Sequence, residues 1–100
     1  MRITQQEKQT MIELKNKIFG EEASIWLYGS RTDDTLRGGD IDLMIIPAEN
    51  DTIDIFSKKI KYLVKLKDSI GDQKIDLLLK KPNDVRGIVK TALQEGVKLG

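Results

Sequence analysis

Asp40-Ile41-Asp42-Leu43-Met44-Ile45-Ile46-Pro47 decides how the rest of the chain is read. It alternates acid and aliphatic at first, then runs continuously apolar until proline ends it. Alternation has the period of a strand, and the continuously apolar stretch that follows is of strand length. Period-two geometry sends Asp40 and Asp42 to one face, and Ile41 and Leu43 to the other. Two carboxylates side by side on an apolar strand repel each other and resist desolvation. A divalent cation is the usual offset.

Downstream, Asp51 or Thr52 is placed to cap a helix that Gly71 ends. Ile53, Phe56, Ile60, Leu63 and Ile70 are expected on its core face, with Lys58, Lys61 and Lys65 in solvent. Gln73 to Leu79 reads as the next strand, followed by Lys80, Lys81 and Pro82. A whole helix between two strands predicts a parallel crossover. In matched register, Asp76, the only acid inside that strand, faces the same side as Asp40 and Asp42. Three carboxylates then converge, which suits two Mg²⁺ ions in a site open to phosphate oxygens and water. A last helix is expected over about 83–95, with Val85, Ile88, Val89, Ala92 and Leu93 on it and Gly96 ending it.

Upstream, Ser24-Ile25-Trp26-Leu27-Tyr28 is a short β-branched and aromatic strand that ends at Gly29. Residues 30–39 form a polar loop with room for one helical turn after Ser30, too short for a full helix. That favours an antiparallel pair with the Asp40 strand. Thr4-Gln5-Gln6-Glu7 reads as a capping box opening a helix over about 5–19, with Met11, Leu14 and Ile18 on its core face. The fold expected is α+β, with α/β-like features: one small mixed three-stranded sheet, helices mainly on one face. Met44 and Ile46 then share the face of Asp40 and Asp42, and Leu78 that of Asp76. Either a partner or the C-terminal segment must cover them.

The chain has 100 residues, which fits a single domain over 1–100. It contains no Cys and no His. That excludes disulfides, thiolate or imidazole metal sites, cysteine nucleophiles and a Ser-His-Asp triad within the chain. Carboxylates, hydroxyls and hard cations remain. The net charge is +1, from 17 basic and 16 acidic residues. Direct nucleic-acid binding through Lys58, Lys61, Lys65, Lys80 and Lys81 is not expected, because the lysines lack interleaved aromatics. No apolar run approaches the ~20 residues a bilayer requires. The N-terminus has no signal-peptide pattern, so a cytoplasmic protein is expected.

Tyr28-Gly29-Ser30-Arg31 adds a second element of chemistry. Glycine lets backbone approach a phosphate, and Ser30 offers a hydroxyl and an N–H. Arg31 supplies charge, with Arg37 as a further candidate. Taken singly, each feature has an ordinary reading: a solvated strand end, a common turn, an acid paired with Lys74 or Lys80. Together they form a phosphoryl-transfer constellation.

Gly29-Ser30, nine intervening residues and Asp40-Ile41-Asp42-Leu43 resemble the signature of the DNA polymerase β-like nucleotidyltransferase superfamily. The short chain resembles its minimal nucleotidyltransferase (MNT) branch, the type paired with helical HEPN proteins. The Ser-to-Asp spacing is one residue shorter than in the best-described antitoxin members. The resemblance implies a polymerase β-like palm and nucleotide binding by Gly29, Ser30 and Arg31. It implies Mg²⁺ held by Asp40, Asp42 and Asp76, the last also helping to deprotonate the acceptor. It further implies ATP as substrate and AMP transfer to a hydroxyl of a HEPN-type partner, with the chain as antitoxin of a toxin–antitoxin pair. Hetero- or homo-oligomers are both compatible with it. A different class of function stays open: a non-catalytic binding module that neutralises its partner by masking it.

Overall fold

In a computed structural model the run that begins at Ile41 takes an interior position in a four-stranded sheet. The structure describes residues 3–29, 40–51, 54–71 and 73–100. The elements are α1 (Gln5–Phe19), β1 (Ser24–Tyr28), β2 (Ile41–Ile46), α2 (Ile55–Ile70), β3 (Ile75–Leu79), α3 (Gly87–Glu95) and β4 (Val97–Lys98). The sheet order is β3-β2-β1-β4. β1 pairs antiparallel with β2, and β2 parallel with β3, as the connections predict.

Local chemistry starts the first helix. The Thr4 hydroxyl accepts from the Glu7 N–H at 3.0 Å, and the Glu7 carboxylate accepts from the Thr4 N–H at 2.8 Å. Met11 and Phe19 are buried, with Leu14 and Ile18 partly buried beside them. The second helix starts later than expected. Its N-cap is Asp54, without a side-chain cap bond, while Asp51 holds the Lys58 ammonium at 2.7 Å. Thr52 and Ile53 lie outside the described residues.

The main core lies between one sheet face and α1 and α2. Ile25, Leu27, Ile41, Leu43, Ile45, Ile75 and Leu77 point into it. From α2 come Tyr62 and Leu66, with Leu63 and Ile70 of the expected stripe packed partly buried against the core, while Phe56 and Ile60 are not. Phe56 is 70% exposed and Ile60 49%, and Leu63 and Ile70 are only partly buried. The apolar arc of this helix is wider than the face one sheet can cover, so the helix's seating selects the buried part. The Tyr62 hydroxyl donates to the Met11 carbonyl at 2.8 Å, tying α2 to α1. Burial pushes that phenol's pKa well up.

The fourth strand and the position of α3 differ from expectation. Gly96 turns the chain back, and β4 joins β1 antiparallel, with Trp26 opposite Lys98. Leu99 N–H donates to the Ile25 carbonyl at 2.8 Å, and Ile25 N–H to the Gly100 carbonyl at 2.8 Å. α3 begins only at Gly87, leaving Val85 79% exposed. The Asp84 carboxylate is engaged by the Arg86 guanidinium and by the backbone N–H groups of Lys81 and Arg86. The turn is thereby held in a non-helical form. α3 then lies on the second sheet face, where Val89 and Ala92 pack with Tyr28 and Met44, and with Trp26, Ile46 and Leu78 at the margin. The C-terminal segment therefore covers the apolar residues that share a face with the acids.

Candidate active site

Register, not proximity in sequence, assembles the acids. β2 and β3 run parallel with Asp42 directly opposite Asp76. On the other side of β2, Tyr28 lies opposite Asp42. All three alternate with core residues of their strands, so they form one row on the face that α3 partly covers. Asp42 and Asp76 are brought together as the sequence predicts. Among the described residues, neither has an ion-pair partner.

The electrostatics reflect this crowding. The Asp42 carboxyl is pushed above its ordinary value, first by burial, then by the charges of Asp76 and Asp40. The Tyr28 phenol is pushed up by burial and by Asp42 and Asp76. Its hydroxyl therefore senses both carboxylates, although the sequence suggested no role for it. The signal was available in β1 alternation, which puts Trp26 and Tyr28 opposite the Ile25 and Leu27 face.

Asp40 precedes β2 and lies 3.5 Å from the Lys74 ammonium. Lys74 thus pairs with Asp40, not with Asp76. The ion pair is exposed, and such pairs contribute only ~0–1 kcal/mol. As the side chains stand, no three acidic groups among the described residues are gathered closely enough to hold a metal ion. The donor chemistry nonetheless suits a hard cation: two adjacent carboxylates, uncompensated among the described residues, with a third close enough to raise the Asp42 pKa.

Gly29 ends β1 with φ +76°, a left-handed conformation that glycine adopts without a Cβ penalty. A Cβ built on it would collide with the Asp42 carboxylate. The glycine and the acid are therefore in direct contact across the β1–β2 pair. Ser30 and Arg31, expected to bind nucleotide, and Arg37 lie outside the described residues.

A separate concavity lies away from these acids. A cavity of about 700 Å³ opens at the far ends of β2 and β3, bordered by Ile46, Pro47, Leu79 and Lys80. Asp42 and Asp76 sit at the opposite ends of those strands and do not line it.

A small mixed sheet with two acids in register at the start of parallel strands, and a glycine turn against one of them, agrees with the palm that the sequence resemblance implies. Residues 7–99 match the family described as Polymerase beta, Nucleotidyltransferase, and the chain belongs to that family. Solved structures share the fold. One is described as a tri-AMPylated Shewanella oneidensis HEPN toxin in complex with MNT antitoxin. It superposes with TM-score 0.68 and 21% identity, covering 98% of this chain and 72% of that chain. Another, described as a toxin–antitoxin with AMP-PNP, gives TM-score 0.70 and 22% identity, covering 93% of this chain and 72% of that chain. No curated protein matches the chain in sequence. No described helix is long and apolar enough to cross a membrane.

Proposed function

We propose that this chain transfers a nucleoside monophosphate, AMP from ATP, to a hydroxyl on a helical HEPN-type partner protein, and so acts as the antitoxin of a toxin–antitoxin pair. The observation that carries the reading is the pairing of Asp42 with Asp76 in one row, with Gly29 against Asp42. The family match supports nucleotidyl transfer, and the fold shared with the two complexes supports the class of partner.

Asp42 and Asp76, with Asp40 as third ligand, would hold Mg²⁺, which when bound neutralises triphosphate charge and stabilises the attacked phosphorus. Gly29 gives the triphosphate close access to backbone, and Ser30 and Arg31 follow it in sequence to grip phosphate oxygens. The acceptor oxygen attacks the α-phosphorus and forms the new O–P bond. The bond to the β-phosphate's bridging oxygen breaks, and pyrophosphate leaves with that electron pair. Asp76 takes the hydroxyl proton, being the more exposed acid of the row and on the edge strand. No His or Cys is needed at any step.

The test is transfer of label from α-labelled ATP to a purified HEPN-type partner. Label is expected on the partner with wild-type chain and absent with the Asp42→Asn, Asp76→Asn double variant. Neutralisation of the partner without ATP and Mg²⁺ would instead mean masking.

A further inference from the structure

The outer side of α2 carries a row that the fold leaves uncovered. Phe56, Ile60 and Val64 are 70%, 49% and 55% exposed. They follow one another at intervals of four residues, so they form one ridge ~12 Å long. Single exposed apolar side chains are ordinary, but an aligned row marks a contact surface. Charge around the ridge is one-sided. Ile55–Ile70 carries Lys58, Lys59, Lys61, Lys65 and Lys67 against Asp68 alone. Lys58 is held by Asp51, and among the described residues the other four have no ion pair.

Charge selects the occupant. A second copy meeting this ridge across a two-fold axis would set lysines against lysines. A bilayer surface takes a broad apolar face, whereas this is a single row on a helix whose other side is seated on the core. A ridge at four-residue spacing is the shape that enters the groove between rows of a second helix. We propose that α2 is a docking ridge for an acidic amphipathic helix of another protein, whose apolar groove receives Phe56, Ile60 and Val64 while its Asp and Glu residues meet the lysines. The ridge lies on the α1–α2 side of the sheet, opposite Asp42 and Asp76. A docked helix therefore leaves the carboxylates open. The proposal goes beyond the transferase reading and does not depend on it.

The probe is a labelled synthetic helix with leucines at heptad spacing and glutamates on both flanks, followed by anisotropy and by amide chemical shifts of the full chain. Shift changes are expected on α2, centred on Ile60. Affinity is expected to fall about tenfold in Ile60→Ser and to weaken with salt. Ile60 is half exposed, so this variant keeps the wild-type thermal midpoint. Lys67→Glu should weaken the acidic helix and admit a version with lysines in place of the glutamates. Asp42→Asn should bind the helix like wild type, which separates failure here from failure of the transferase reading. The proposal is overturned if Ile60→Ser binds unchanged, if the lysine helix binds wild type equally well, or if shifts fall on another face. Anionic phospholipid vesicles engaging α2 where the acidic helix does not, or ridge-dependent dimers of the chain alone in sedimentation, also overturn it.

Discussion

The Asp42 carboxylate fills the volume that a side chain on residue 29 would need. Gly29 is thus required twice, by its φ of +76° and by the acid packed against it. The two requirements separate in a double-mutant cycle. Gly29→Ala should cost ~1–2 kcal/mol for the left-handed backbone plus a further amount for moving the carboxylate. In an Asp42→Ala background only the backbone cost should remain. Urea unfolding of the four proteins measures the difference, and strict additivity would mean the contact has no energetic weight.

Asp42 should destabilise the metal-free protein at neutral pH. Its folded pKa is raised above the unfolded value, by burial first and by Asp76 and Asp40 next. Stability linked to such a group is fully present below the unfolded pKa and is lost as pH rises through the folded one. Asp42→Asn should therefore melt higher than wild type at pH 7 without divalent cations, and the gap should close under acid conditions. Thermal unfolding across pH checks this. A variant that melts lower at pH 7 would show that the carboxylate makes a compensating contact.

The strands and their pairing were legible because each carries its own punctuation. Pro47 closes the apolar run of β2, and the helix inserted before β3 forces the parallel pairing that sets Asp42 beside Asp76. The capping box at Thr4 is purely local and reads directly. What failed was whatever depends on another element's position. Phe56 and Ile60 fit the helical period as well as Tyr62 and Leu66 do, and only the seating of α2 on the sheet buries the latter pair. β4 spans only Val97–Lys98, too short to show alternation, and exists because β1 offers it an edge. Lys74 could be expected to pair with Asp76, its near neighbour in sequence, but it pairs with Asp40. That depends on lysine rotamers, which no periodicity encodes.

Added Mg²⁺ should reverse the penalty that Asp42 and Asp76 impose. A cation that binds only the folded protein stabilises it by ~2.7 kcal/mol at a hundredfold excess over Kd. Wild type should therefore melt higher with millimolar Mg²⁺, and EDTA should restore the lower midpoint. Asp42→Asn and Asp76→Asn should each lose most of the rise, and Lys74→Ala should keep or enlarge it by freeing Asp40. Calorimetric titration of Mg²⁺ into the metal-free chain gives the same comparison without reference to turnover. An equal shift in all variants would place the cation elsewhere.

Among the described glycines outside the candidate site, Gly96 should be the least tolerant of substitution. Its φ is not positive, so the constraint is space alone. A Cβ there would collide with the Ala92 carbonyl and lie 3.0 Å from the Leu27 carbonyl. Both obstacles are backbone, so either α3 or β1 must move. Gly96→Ala is expected to cost ~1–3 kcal/mol. It should also release the Leu99 N–H, bonded to Ile25, to faster hydrogen exchange. Gly87→Ala is the control, since open space surrounds Gly87 and it begins a helix. That change should be neutral, or stabilising by up to ~1 kcal/mol. Because Leu27 precedes Tyr28 on β1 and Gly29 follows directly, displacement of β1 reaches the row containing Asp42. Nucleotidyl transfer by Gly96→Ala should then fall further than its folded fraction accounts for, whereas Gly87→Ala keeps wild-type turnover.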